Sequence, residues 1–170
     1  MKKTIAICIL LALGLFAAGG IYDAILTGKL GQIVIDGPPG YNTYTGIVRR
    51  VIPLKDVDRG DLVYISTSTG LGYPRVGKAD ADAANTVGDI LIMVEAANSG
   101  GVALALDNGV ISNSAWDFAS AGVLVYVSTT SGLITSTAPS GSGDQVQIVG
   151  VTEASDIVRF KPSLNIATAE

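Results

Sequence analysis

The sequence predicts a mainly β protein, in which a duplicated β-unit forms a β-sandwich or small barrel preceded by one N-terminal hydrophobic helix. Three observations support this prediction. The chain opens with one long uncharged apolar run, and no later stretch sustains the 3.6-residue apolar period of a helix. Short Val, Ile, Leu and Tyr runs then alternate with clusters of Gly, Pro, Asn, Asp and Ser. Finally, one twelve-residue segment occurs twice. We therefore divide the 170 residues into an anchor segment, 1–30, and a β-domain, 31–170.

The anchor segment begins with two lysines, Lys2 and Lys3, followed by the apolar run at residues 4–21. Two interpretations remain open: a secretory signal peptide cut near the small residues 17–20, or a retained helix of the length that spans a bilayer. We expect a retained helix, packed in lipid or in neighbouring subunits. Its anchoring side chains would be Ile5, Ile7, Ile9, Leu10, Leu11, Leu13, Leu15 and Phe16.

The sequence of the β-domain predicts short strands separated by turns. An Asn108-Gly109 pair between two apolar runs predicts a type I′ hairpin turn, because both residues tolerate positive φ. Residues 75–85 and 138–144 are predicted to be polar loops. The predicted strands are 32–35, 46–52, 62–66, 90–94, 102–106, 110–112, 124–128, 133–136, 145–151 and 157–160.

An internal repeat is the most specific feature of the sequence. Residues 60–71 align without a gap on residues 122–133, with eight of twelve positions identical. Further along, residues 90–96 fall on residues 148–154 after a shorter loop. We call residues 58–97 and 120–156 the first and second repeat units. Two copies are too few for a solenoid, so we expect the halves to bury one shared core.

The region from Gly109 to the C-terminus resembles a module of bacteriophage virion proteins, found in head-decoration, head-fibre and tail-fibre chains. Residues 58–77 also resemble the Gly-Asp-Leu-Val-Tyr units of capsid-decoration proteins. The resemblance implies a virion structural role and brings no catalytic residues, although soluble decoration proteins lack the apolar N-terminal segment. The matching positions are Gly109, Val110, Ile111, Asn113, Ser114, Trp116, residues 126–130, Gly132, Leu133, residues 139–144, residues 149–151, Phe160, Pro162 and Ser163.

Composition disfavours several functional classes. The chain has no His, which removes the usual general base and the commonest metal ligand. Its single cysteine cannot form an intramolecular disulfide, and a net charge of −4 argues against nucleic-acid binding. Asp80 and Asp82 could supply only part of a calcium site, which needs six to eight oxygens. We therefore expect no catalytic activity, cofactor, metal site or nucleic-acid partner.

Two pairs of residues are candidates for contacts between subunits. Arg49 and Arg50 lie inside a predicted strand, where they could also serve as edge charges that block aggregation. Trp116 and Phe118 lie in a polar turn, where they could instead cover the end of the β-core. Charged residues make up only 15% of the chain against 48% hydrophobic residues, and this favours self-association.

These observations lead to two functional hypotheses. The first is a virion structural protein anchored by its N-terminal helix, with itself, other virion structural proteins and membrane lipid as partners. The alternative is a subunit of a secreted prokaryotic surface filament, with bundled N-terminal helices and an extracellular sheath of β-domains. An enzyme or sugar-binding domain is disfavoured, since carbohydrate sites need exposed aromatics and only 6% of the residues are aromatic.

Overall fold

The structure is a computed structural model that describes residues 42–70 and 72–170. The predicted anchor helix and the predicted strand at 32–35 lie outside these residues. Within the two ranges, no helix is both long enough and apolar enough to span a bilayer. The strands are β1 (Tyr44–Pro53), β2 (Leu62–Gly70), β3 (Tyr73–Lys78), β4 (Ile90–Met93), β5 (Ala103–Ser112), β6 (Leu124–Val127), β7 (Ile134–Thr135), β8 (Gln145–Ala154), β9 (Ile157–Phe160) and β10 (Ile166–Thr168), with a 3₁₀ turn at Ala84–Thr86.

Five strands close into a barrel in the order β1-β3-β2-β4-β5, because β5 pairs back on β1. The β1–β3 pair is parallel, and the other four pairs are antiparallel. Closure removes the free edges that an open sheet would present. The prediction of a mainly β fold is therefore confirmed, and its sandwich-or-barrel alternative resolves to a small barrel.

The C-terminal half extends the sheet from β5. The end of β5 stays paired with β1 and pairs with β9 along its other edge, beyond the residues that pair with β4, and the sheet continues through β8, β6 and β7. β10 pairs separately with β8. The two halves are thus joined through one shared strand.

Two buried clusters lie on opposite faces of the central strands. All four residues of β4 are buried: Ile90 and Ile92 contact the cluster shared with the C-terminal half, whereas Leu91 and Met93 contact the barrel interior. Alternation along a strand places neighbouring side chains on opposite faces, so this unbroken apolar run is what a strand covered on both sides requires. The shared cluster includes Leu62, Leu106, Ile111, Val125, Val127, Val149, Val158 and Phe160.

The two repeat units have the same strand pairing. β2 forms a hairpin with β3 and pairs with β4, and β6 forms a hairpin with β7 and pairs with β8. Tyr64 lies opposite Ile90, and its counterpart Tyr126 lies opposite Ile148. The units differ by one extra residue, Val149, where the β6–β8 register shifts.

A second internal symmetry, which sequence analysis did not detect, relates the β1–β2 and β4–β5 connections. Val57 and Ala97 exchange two backbone hydrogen bonds of 2.9 Å. The Gly60 N–H donates to the last carbonyl of β4, and the Gly100 N–H donates to the last carbonyl of β1, each at 2.8 Å. The two connections are therefore related by an approximate twofold axis at the Val57–Ala97 pair.

The predicted hairpin turn at Asn108-Gly109 is wrong, because β5 runs without interruption from Ala103 to Ser112. Gly109 instead lies opposite Gly46, with φ values of 153° and 133°. A Cβ on Gly109 would lie 1.9 Å from the carbonyl oxygen of Thr45. The glycine therefore serves the close approach of β1 and β5 rather than a chain reversal.

The predicted polar loop at residues 75–85 is also wrong in its first part, which belongs to β3. Pro74 and Gly77 are poor strand formers, so local sequence hides this strand. Pairing with β1 and β2 creates it instead, and Gly77 leaves room for the ring of Tyr64. The short strand β10 was not predicted either.

Candidate functional site

A groove of about 520 Å³ lies between the two repeat units. Its walls come from residues 58–61 before β2, from Asn113 and residues 115–118 after β5, and from residues 133–136 of the β6–β7 hairpin. We call it the aromatic groove. It is the candidate functional site because it combines accessible apolar side chains with acidic residues on its rim.

The turn after β5 is fixed by Asn113, which is 8% exposed. Its Nδ2 donates to the Arg59 carbonyl at 3.0 Å, and its Oδ1 accepts from the Ala115 N–H at 3.0 Å. The N–H of Trp116 donates back to the Asn113 carbonyl at 3.0 Å. These bonds explain why an Asn-Ser-x-Trp sequence forms a defined turn and holds the indole in one place.

Gly60 makes room for this turn. A Cβ at Gly60 would lie 2.3 Å from Asn113 Nδ2 and 3.1 Å from Trp116 Cζ2. The residue also has a φ of +89°, which side chains other than Gly rarely adopt. Both the backbone conformation and the packing therefore require glycine.

The aromatic side chains of the groove form a pair. Trp116 and Phe118 are half-buried, their ring centroids lie 5.8 Å apart, and the planes are tilted by 52°. Both rings pack against the shared core. Across the groove, Leu133 is 50% exposed. Both rings therefore cover the shared core, as one of the two interpretations of the sequence expected, and both also line the groove, while their role in a subunit contact stays a prediction.

Arg59 holds the base of the groove, and sequence analysis missed it. Its guanidinium donates to the backbone carbonyls of Val94, Thr43 and Ser112, the last two at 2.8 Å and 3.0 Å. Burial lowers the pKa of this guanidinium, and the nearby Tyr44 partly offsets that effect. Burial, followed by the charge of Glu95, raises the pKa of the Tyr44 hydroxyl. Arg59 therefore links the start of β1 to the ends of β4 and β5. Because it binds main-chain carbonyls, no sequence pattern predicts this role.

A partly buried ion pair within the first repeat unit lies beside the groove, against Gly132 of the second unit. Lys78 Nζ lies 2.8 Å from Oδ2 of Asp61, whose side chain is 7% exposed. The same carboxylate accepts the Asp58 N–H at 2.8 Å. Gly132 of the second unit packs over the pair, since a Cβ there would lie 3.0 Å from Lys78 Cδ and 3.2 Å from Asp61 Oδ1. Removing one partner would leave a buried charge uncompensated.

The rim of the aromatic groove is acidic. Asp58 and Asp117 line the groove and are exposed. In the part of the chain that the structure describes, neither carboxylate is within ion-pair distance of a basic side chain. These two charges are therefore available to a partner.

The structure does not bring Arg49 and Arg50 to the aromatic groove. Arg49 lies 2.9 Å from Asp107 and 3.9 Å from Asp89. It is two residues from Val51, which packs in the barrel interior, so alternation along β1 directs both side chains to the same face. Arg49 thus pairs with acidic residues of its own chain, and its role as a subunit contact stays a prediction.

Arg50 lies on the outside of the barrel in a basic cluster. Its Nη1 donates to the Tyr73 hydroxyl at 3.2 Å, and its guanidinium carbon is 6.0 Å from the centroid of that ring. Arg75 is exposed two residues further along β3. We call Arg50, Tyr73 and Arg75 the basic face. Neither arginine forms an ion pair with another described residue.

A second groove, of about 630 Å³, is lined by Lys55, Tyr64, Lys78 and Asp80 among others. Burial raises the pKa of the Asp80 carboxyl, and a side-chain hydrogen bond with Asp82 adds to the effect. Among the described residues, no group of three or more His, Cys, Asp or Glu side chains is placed to hold a metal ion.

Comparison of the chain with protein-family models found no match, and neither did comparison with curated protein sequences.

Proposed function

We propose that this chain is a structural protein of a virion: a decoration, spike or fibre protein anchored through its N-terminal hydrophobic segment, with the β-domain on the particle. The observation that carries the proposal is spatial. Asn113, Trp116 and Leu133, which are separate parts of the phage-module motif, all line the aromatic groove. Residues that match a motif and also form one site are better explained by an inherited module than by chance similarity.

We further propose that the two repeat units arose by duplication within the β-domain. The support is their shared hydrogen-bonding pattern. The Gly60 N–H donates to Met93 at 2.8 Å, and the Gly122 N–H donates to Thr152 at 2.8 Å. Superposition of residues 62–70 on 124–132 tests this, because unrelated strands would not place their flanking glycines together.

The position of Asn42 supports an anchor close to the groove. Its Oδ1 accepts the Ser114 N–H at 3.3 Å, and the next carbonyl, of Thr43, accepts from Arg59. The chain that carries the anchor segment therefore joins the domain beside the turn that holds Trp116. An anchored copy would keep this side of the domain near neighbouring subunits.

Native particles test the proposed function. We expect the full-length chain to co-purify with icosahedral or tailed particles through a density gradient, and its intact mass to include residues 4–21. A mass lower by about 20 residues would show removal by signal peptidase and would contradict the anchor. Helical fibres built from this chain alone, without other virion proteins, would support the filament alternative.

A further inference from the structure

We propose that the aromatic groove of one copy binds the basic face of a second copy in a head-to-tail contact. This inference rests on the proposed assembly role, and it names the partner and both surfaces. The groove contributes Trp116, Phe118 and two rim carboxylates, and the basic face contributes Arg50, Tyr73 and Arg75.

Charge complementarity is the first argument. Asp58 and Asp117 are exposed on the groove rim, and Arg50 and Arg75 are exposed on the basic face. All four lack an ion-pair partner among the residues that the structure describes. A second copy can pair these two acids with these two bases, since the groove rim and the basic face are formed by different segments of the chain.

The residue types provide the second argument. Trp, Tyr and Arg are the residues that most often dominate binding energy at protein interfaces, and they are most effective when they insert into a pocket. Arg50 is already stacked near Tyr73, so little side-chain freedom remains to be lost on binding. The groove, of about 520 Å³, is within the volume range of sites that enclose side chains or ligands, about 300–1,000 Å³.

In the proposed head-to-tail contact, each copy uses its groove on one neighbour and its basic face on the other, so the contact is heterologous. A heterologous contact generates a closed ring if the rotation between copies closes, and a filament if it does not. Either product suits a structural protein that repeats over a particle or fibre.

Charge reversal on the full-length chain, purified in a non-denaturing detergent, tests the contact. One variant carries Arg50→Glu and Arg75→Glu, and the other carries Asp58→Lys and Asp117→Lys. Native mass spectrometry should show oligomers for the unmodified chain and a loss of assembly for each variant. We expect the dissociation constant to rise about 100-fold or more, because like charges set opposite one another are strongly unfavourable.

Mixing the two variants restores complementary charges at every contact. An equimolar mixture should therefore assemble again, in even-numbered complexes with one-to-one composition. The control Lys55→Glu with Lys161→Glu reverses two exposed bases elsewhere and should assemble normally. Fluorescence of Trp116, the only tryptophan, reports whether each variant is folded. If a reversed variant does not fold, a neutral variant takes its place: Arg50→Gln with Arg75→Gln for the basic face, or Asp58→Asn with Asp117→Asn for the groove. Each neutral variant should weaken assembly.

Three results would overturn the inference: undiminished assembly of the reversed variants, no assembly of their mixture, or a monomeric unmodified chain at all concentrations. None of these three results would contradict the proposed virion role, because that role is tested by the presence of the chain on native particles.

Discussion

The first and second repeat units share a Leu-Val-Tyr strand, but the first unit buries both faces of it and the second buries only one. In β2, Leu62 contacts the shared core and Val63 contacts the barrel interior, so both are fully buried. In β6, Val125 contacts the shared core and Leu124 is 44% exposed. The repeated sequence therefore specifies a strand, whereas closure of the barrel decides whether its second face is covered.

The largest expected difference between the units concerns these leucines. Leu62→Ala should lower the free energy of unfolding by about 3 kcal/mol, because it leaves a cavity between the barrel and the C-terminal half. Leu124→Ala should change it by about 0.5 kcal/mol or less, as for other surface substitutions. Urea unfolding of the full-length chain, followed by Trp116 fluorescence, measures both. Equal losses would show that the two strands are buried alike, contrary to the structure.

The glycines that precede the two strands sharpen the comparison. Gly60 and Gly122 have similar φ values, 89° and 82°, but only Gly60 is covered by other residues, Asn113 and Trp116. Gly122→Ala should lower the free energy of unfolding by about 1 kcal/mol, from backbone strain alone. Gly60→Ala should lower the free energy of unfolding by about 2–3 kcal/mol, because the backbone strain and the displacement of the Trp116 indole both destabilise the folded chain.

Fluorescence separates these two contributions. Gly60→Ala should shift the emission of Trp116 to longer wavelength, because the displaced indole becomes more accessible to water. Gly122→Ala, the matched control, should leave the spectrum unchanged, since nothing lies within 4 Å of its added Cβ. An unchanged spectrum in the Gly60 variant would contradict the packing of Trp116 on this turn.

The strands of the β-domain could largely be predicted because β-branched and aromatic runs end at turn residues. β4 and β9, for example, lie within one residue of their predicted bounds. β3 could not be predicted, because its strand conformation comes from pairing with β1 and β2 rather than from its own residues. The prediction of a turn at Asn108-Gly109 was wrong for a related reason. These two residues permit a turn, but in the structure Gly109 pairs with Gly46 of β1, and the strand continues without a turn.

The candidate site was only half visible in the sequence. Trp116 and Phe118 stand out by residue type, but Arg59 binds backbone carbonyls, which have no sequence signature. Gln147 is a similar case. It is fully buried and bonds the Gly88 carbonyl and N–H at 2.7 Å and 2.9 Å and the Ser163 carbonyl at 2.6 Å. Polar residues that bind the main chain across long separations become recognisable only once the strands are paired.

The smallest expected effect concerns the place where loops of the two units meet. Asp80 follows β3, and the Gln145 N–H at the start of β8 donates to the Ala81 carbonyl at 2.6 Å. Burial raises the pKa of Asp80 above its ordinary value, and the charges of Asp82 and Asp144 add to this. The folded chain therefore holds a proton on this carboxyl more strongly than the unfolded chain does. By linkage, its contribution is most favourable at low pH and is lost as the pH rises from about 4 through the raised pKa.

Asp80→Asn removes the carboxyl that loses its favourable contribution as the pH rises. The free energy of unfolding of this variant should therefore decrease less steeply above pH 4 than that of the unmodified chain. At pH 7 the melting temperature should rise by about 2 °C or less, because solvent screens a group that remains partly exposed. Thermal melts of the full-length chain between pH 3.5 and pH 7 test this, with the unmodified chain as the reference. If the Asp80→Asn profile ran parallel to that of the unmodified chain, the carboxyl would not be perturbed, and the close approach of the two loops would contribute no electrostatic cost.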